Sequence, residues 1–276
     1  MRLLLFYFAF PNFKKGVWTK VTEVFLGRYF LQISYQGKAY AGWQSQNNAG
    51  SVQETLEKTL CRVFRQEIRL VGSSRTDAGV HAIGQIAQID FDPMMSLEQC
   101  VFKINTALPP DIAVRKFIPV KPDAHCRFDA ISRTYQYSIL RGRNPFWAET
   151  AHFWYGALDL EAMQACCDIV LRHNNFQALS KIHTQVKTFE CKLEKAEWFY
   201  EGEGRLVFEV KANRFLRGMV RAMVGTMLEV GKGRRTLEEF EALLNGKDRK
   251  KAGESVPAKG LCLMEVAYPE SYFIEA

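Results

Sequence analysis

The sequence predicts an α+β protein of two similar halves sharing an antiparallel sheet, and three observations predict it. Short aromatic and β-branched runs alternate with amphipathic runs of helical period. Three Ser/Thr-x-x-Glu/Gln motifs, at Ser51, Ser96 and Thr236, mark helix starts. The strand, helix, strand, strand, helix, strand order of the first half recurs loosely in the second. At 276 residues the chain exceeds the usual single core, and its 47% hydrophobic content is ample to fill two subdomains.

The elements follow in order. Tyr29–Tyr35 is aromatic and β-branched enough for a strand, closed by Gly37. A capping box at Ser51 and Glu54 opens a helix whose Val52, Leu56, Leu60, Val63 and Phe64 share one face. Glu67–Val71 reads as a short strand leading into VGSSRTDAGVHAIGQ, and Gln85–Phe91 as the strand leaving it. A second box at Ser96 and Gln99 opens a helix that ends before Pro109-Pro110. Ile112–Val120 and Thr134–Leu140 read as strands, the latter added to the first half, and Arg141–Pro145 as a connector. In the second half we expect a helix from Asp159 to about His173, strands at 191–200 and 205–212, and a long helix from about Phe215 to Val230. A short helix from Thr236 and a strand at Leu261–Ala267 complete the chain. The expected division is a poorly ordered N-terminal extension over 1–27, a first half over 28–141 and a second over 142–276. In the extension, the apolar run Leu3–Phe10 is too short to span a bilayer and no small-x-small cleavage site follows.

Seven cysteines, an odd number without a C-x-x-C pair, point to reduced thiols and a cytoplasmic protein. The five histidines are scattered and form no zinc pattern, so no metal site is expected. The formal charge of +7 falls to +3 over residues 29–276, so net charge alone supports a polyanionic partner only weakly. What matters is whether the basic residues cluster.

They do. In the glycine-punctuated loop, Asp77 is the reactive group that remains once a phosphate cradle and a serine elbow are excluded by their missing glycine frames. Asp77 also fits a turn cap, and Arg75 with Asp77 a structural ion pair. On the predicted long helix, Arg214, Arg217 and Arg221 fall on one stripe, and Phe215, Met219, Met223 and Met227 on another. No acid interleaves from 212 to 228, and such guanidiniums suit phosphates, or one phosphate and one buried carboxylate. Arg127-Phe128 and Arg133-Thr134-Tyr135-Gln136-Tyr137 mix base and aromatic as single-stranded RNA surfaces do, although Tyr135 and Tyr137 equally suit a core. Trp43, Trp147 and Trp154 read as packing residues, and His81 as holding the loop by hydrogen bonds.

Arg75-Thr76-Asp77-Ala78-Gly79-Val80-His81-Ala82 matches, over eight consecutive positions, the signature of the TruA family of tRNA pseudouridine synthases. Further blocks resemble that family in order: Gly42–Gln44, Ser51–Glu54, Leu108–Ile112, His125–Phe128, Arg133–Tyr137, Phe215–Gly225 and Gly260–Leu263. The resemblance spans about residues 28 to 270. It implies two ferredoxin-like (RRM-like) halves around a basic cleft, a homodimer, no cofactor, and uridines 38 to 40 of the tRNA anticodon stem-loop as substrate. It implies Asp77 as nucleophile, with Tyr135, Arg75, Arg221 and Leu261 on the substrate and Arg221 ion-paired to Asp77. Arg127, Arg133, Arg214 and Arg217 are candidates for the RNA backbone. Addition of Asp77 to C6 of the base and attack at C1′ both fit these residues. Ser74 stands where the family usually has glycine, which predicts a costlier left-handed conformation at that position. The alternative function is a noncatalytic tRNA-binding or RNA-folding module on the same scaffold.

Overall fold

The computed structural model describes residues 27–46, 49–181, 186–202 and 204–274. The extension read over 1–27 lies outside them except for Gly27, which starts the first strand. The first group of elements is β1 (Gly27–Tyr35), α1 (Val52–Phe64), β2 (Val71–Gly72), β3 (His81–Phe91), α2 (Leu97–Ala107) and β4 (Ile112–Pro119). The second is β5 (Ser132–Leu140), β6 (His152–Phe153), α3 (Leu160–Arg172), β7 (Leu193–Glu201), β8 (Arg205–Ala212), α4 (Met219–Gly231), α5 (Leu237–Gly246) and β9 (Leu261–Ala267).

Mixed α and β elements thus build one mostly antiparallel sheet in the order β4-β1-β3-β9-β5-β8-β7, with β2 on β3 and β6 on β5. In each group the strands lie fourth, first, third, second if the two-residue β6 is set aside. The groups meet where β3 runs parallel to β9, His81 opposite Cys262 and Ala82 opposite Leu263. β1, flanked on both edges, buries Phe30, Leu31, Ile33 and Tyr35. α1 packs with α2, and α3 packs with β7, α4 and α5. Their apolar faces close one continuous core with the sheet, the arrangement amphipathic helices require.

Several boundaries differ from expectation for physical reasons. Thr134–Leu140, read as an addition to the first half, belongs to β5, which lies between β9 and β8. The segment before Val71 forms no ladder because α1 side chains take its backbone groups: Leu70 donates its N–H to Glu57 Oε1 at 2.8 Å, and its carbonyl accepts from Gln53 Nε2 at 2.9 Å. β3 begins four residues earlier than read, because its pairing with β1 reaches Ala82 and its pairing with β9 reaches His81. The boxes at Ser96 and Thr236 are complete, whereas at Ser51 the hydroxyl caps Glu54 N–H but the Glu54 carboxylate turns to Lys58. The long helix starts at Met219 rather than Phe215, since Gly218 at φ +72° breaks the helical path. Arg214 and Arg217 therefore precede α4, and the single helical stripe with Arg221 does not form. Met219, Met223 and Met227 are buried as read. Trp43 is core, but Trp147 is surface-exposed, its ring under the Arg205 guanidinium at 4.4 Å.

Candidate active site

The loop Ser73–Val80 leaves β2 and enters β3 at the seam between the two strand groups. Its two flanking glycines have different tasks. A Cβ at Gly72 would fall 2.0 Å from Trp43 Nε1, so this position must be bare for the buried indole to pack. Gly79 sits at φ +76° and lets Val80 N–H reach back to the Asp77 carbonyl at 3.1 Å, closing a tight turn that presents Asp77. Ser74 has no positive φ, since among described residues only Arg65 and Lys247 depart from glycine in that respect. The penalty expected from Ser74 therefore does not arise.

Buried polar groups fix the rest of the loop. Ser73 N–H donates to the Ile86 carbonyl at 2.8 Å, and Gln85 Nε2 donates to the Ser74 carbonyl at 2.9 Å. The Thr76 hydroxyl bonds the buried Tyr35 phenol at 2.8 Å. His81 accepts Gly37 N–H on Nδ1 at 3.0 Å, which leaves its proton on Nε2, facing the Lys259 carbonyl at 3.1 Å. Burial holds its pKa below the ordinary 6.5. A neutral His81 thus ties the loop exit to the segment before β9, as a holding role requires. Gln85 and Tyr35 were not singled out in the sequence, because single polar residues inside apolar strands carry no pattern, and Lys259 acts through its backbone carbonyl in the turn before β9, which no side-chain pattern marks.

Across the seam, the Asp77 carboxylate faces two guanidiniums. Arg217 Nε lies 3.5 Å from Oδ1, and Arg221 Nη1 lies 3.9 Å from Oδ2. The side chains are 29% exposed for Asp77, 23% for Arg221 and 62% for Arg217. Arg221 is the better anchored, because its Nε donates to the Val256 carbonyl at 2.7 Å. Arg75, two residues from Asp77, has no ion pair among the described residues and points outward. The local pairing that spacing allows is therefore replaced by a long-range one.

Tyr135 on β5 is buried, and Phe215 meets its ring edge-on at 5.1 Å between centroids. Burial, the largest cause, pushes its phenol pKa up to about 12, with the Asp77 charge a lesser contribution in the same direction. The hydroxyl is thus neutral at physiological pH. Tyr137, next but one on the strand, is also buried and donates to the Pro257 carbonyl at 2.9 Å. Leu261 is buried at the start of β9, paired with Tyr137. Of the remaining arginines, Arg127 is exposed and Arg214 half-buried. Arg133 is occupied: its guanidinium donates to the carbonyls of Ala130, Asn213, Arg127 and Ser73. The site therefore offers one carboxylate facing two guanidiniums, a neutral aromatic phenol, and a fringe of guanidiniums without a carboxylate partner among the described residues.

A family model described as tRNA pseudouridine synthase matches residues 32–129 and 173–269. A protein of Parabacteroides distasonis named tRNA pseudouridine synthase A is 47% identical over 247 residues, covering 89% of this chain and 98% of that one. Proteins of the same name from Bacteroides thetaiotaomicron and Bacteroides fragilis are 45% and 42% identical. They cover 90% and 89% of this chain, and 93% and 98% of their own lengths.

Proposed function

The chain belongs to the tRNA pseudouridine synthase family and isomerises uridine to pseudouridine in tRNA, and on that footing we propose that Asp77 is the nucleophile and uridines 38 to 40 of the anticodon stem-loop are the substrate. The observation that carries the assignment of Asp77 is its place on a tight turn with Arg217 and Arg221 at 3.5 and 3.9 Å.

The reaction breaks the bond from C1′ to N1, turns the uracil in place, and joins C5 to C1′; C5 gives up a proton and N1 gains one. One nucleophile and a closed pocket meet these needs, since atoms and oxidation state are conserved. The two guanidiniums face the Asp77 carboxylate, and Arg221 holds it in register from α4. Tyr135 supplies the ring against which the detached base turns. Leu261 packs the floor of the pocket, and Arg75, exposed beside Asp77, fills the gap left when the uridine leaves its stack. Arg127 and Arg214 take backbone phosphates. Arg133, with its donors on four carbonyls, fits better as an organiser of the loop than as a phosphate contact.

The proposal extends to the scaffold: two ferredoxin-like halves, divided between β4 and β5, with a basic cleft at their seam. The strand order of each group supports it. We further propose a homodimer in the cytoplasm, the compartment that seven free thiols favour. The test is to treat unmodified tRNA with the protein and map carbodiimide-reactive pseudouridines. Signals at positions 38 to 40 support the proposal, and signals elsewhere in the tRNA refute its choice of substrate site. A noncatalytic RNA-binding module would instead bind tRNA with steep salt dependence and leave every uridine unchanged.

A further inference from the structure

A solvent-facing phenylalanine stands beside the Asp77 loop on a backbone that is pinned at almost every polar group. Phe128 is 74% exposed. Its turn begins with the Cys126 N–H on Gln88 Oε1 at 3.3 Å and the Cys126 carbonyl accepting the Tyr268 hydroxyl. The Cys126 thiol donates to the Val71 carbonyl at 2.9 Å, just before the Asp77 loop. His125 Nδ1 accepts the N–H of Arg127 at 3.1 Å and of Phe128 at 3.4 Å, and Asp129 Oδ2 accepts the His125 N–H at 2.7 Å. Arg133 finally clamps the Arg127 carbonyl at 2.8 Å while touching the Ser73 carbonyl at 3.4 Å, joining this turn to the first residue of the loop.

Single exposed apolar residues are ordinary on protein surfaces. This one differs in what surrounds it. The His125 ring lies against Phe128 at 4.3 Å between centroids, and the Arg127 guanidinium sits 5.8 Å from its ring centre. Neither Arg127 nor Arg75 has a carboxylate partner among the described residues, and the pKa of Arg75 is lowered by burial first and by the Arg127 charge second. An exposed aromatic ring with the Arg127 guanidinium beside it is the chemistry that binds an unpaired nucleotide: the ring takes the base face, and the cation takes the phosphate.

We propose that Phe128 is a stacking platform for a second unpaired base of the same RNA, flanking the uridine under isomerisation, with Arg127 on the adjoining phosphate. The inference rests on the tRNA-modifying function proposed above and adds a subsite to it. By this account the enzyme reads the single-stranded character of the loop around its target at Phe128, apart from the pocket in which the chemistry occurs.

The test uses the full chain and an unmodified anticodon stem-loop hairpin in which 2-aminopurine replaces each loop base in turn. Binding to the parent protein is expected to quench fluorescence at one position next to the target. Phe128→Ala should lose that quenching and raise Kd by about tenfold, the usual consequence of removing a stacking ring, while Phe128→Trp retains both. An abasic nucleotide at the quenched position should make parent and Phe128→Ala bind alike. Equal quenching and equal affinity of parent and Phe128→Ala at every position would overturn the proposal. So would a variant that changes the sedimentation of the free protein but not RNA affinity, which would assign the ring to a protein contact. A parent protein that converts no uridine in the all-natural hairpin would refute the functional reading itself, an outcome separate from both.

Discussion

Arg217 Nε lies 3.5 Å from Asp77 Oδ1, although 140 residues of chain separate the two and Arg75 is only two residues away. The pair crosses the seam at which β3 and β9 run side by side, so the acid comes from one strand group and its counter-ions from the other. Neither group alone contains the site.

The two cations differ in anchoring, and their substitution should differ in effect. Arg221 is largely buried and fixed by the Val256 carbonyl, whereas Arg217 is mostly in solvent, where ion pairs are weak. Arg221→Lys keeps the charge but loses the fork that serves carboxylate and carbonyl together. It should lower the single-turnover rate by about tenfold or more, against about twofold for Arg217→Lys, as rates at saturating tRNA would establish.

Tyr135 should act through its ring. Tyr135→Phe preserves the edge-on contact with Phe215 and should convert uridine at a rate near the parent's. Tyr135→Leu should lose about tenfold or more in conversion. If Tyr135→Phe were as impaired as Tyr135→Leu, the neutral phenol would be supplying a proton or a hydrogen bond in the reaction.

The latch at His81 predicts an acid-sensitive loop. Because burial depresses its pKa, the unfolded chain binds a proton at a pH where the folded chain does not. Its contribution to stability is complete above about pH 6.5 and is lost as pH falls from there through the folded value. His152, also depressed by burial, contributes in the same direction. Thermal denaturation between pH 7.5 and 5 should therefore steepen below about 6.5, and less so in His81→Gln.

Gly72 is required by volume. Gly72→Ala would press a methyl group on the buried Trp43 ring and should destabilise the fold by about 1–3 kcal/mol, seen as a lower denaturation midpoint.

Much of this was legible in the sequence, for local reasons. Period-two and period-3.6 runs located β1, α1, α2, β4, α3, β8 and β9 to within a few residues, because each signal lies inside its own element. Asp77 stood out because glycines frame it. The partners did not follow as well. A helical wheel drawn through Arg214, Arg217 and Arg221 assumes a helix that Gly218 interrupts, so the stripe was misplaced even though Arg221 and Arg217 do meet the acid. Arg133 looked like an RNA contact because exposed and carbonyl-capping arginines read alike in sequence, and only a folded chain reveals its four acceptors. Thr134–Leu140 was counted with the first half because strand pairing is long-range, and nothing within Ser132–Leu140 says that β8 and β9 will flank it.

The most direct measurement is single-turnover conversion of uridine in unmodified tRNA by Asp77→Asn beside the parent, with tRNA affinity measured on the same preparations. Asparagine keeps the size of the side chain and removes the charge that Arg217 and Arg221 surround. The account predicts no detectable pseudouridine with tRNA binding retained. Conversion by the asparagine protein at the parent rate would contradict it.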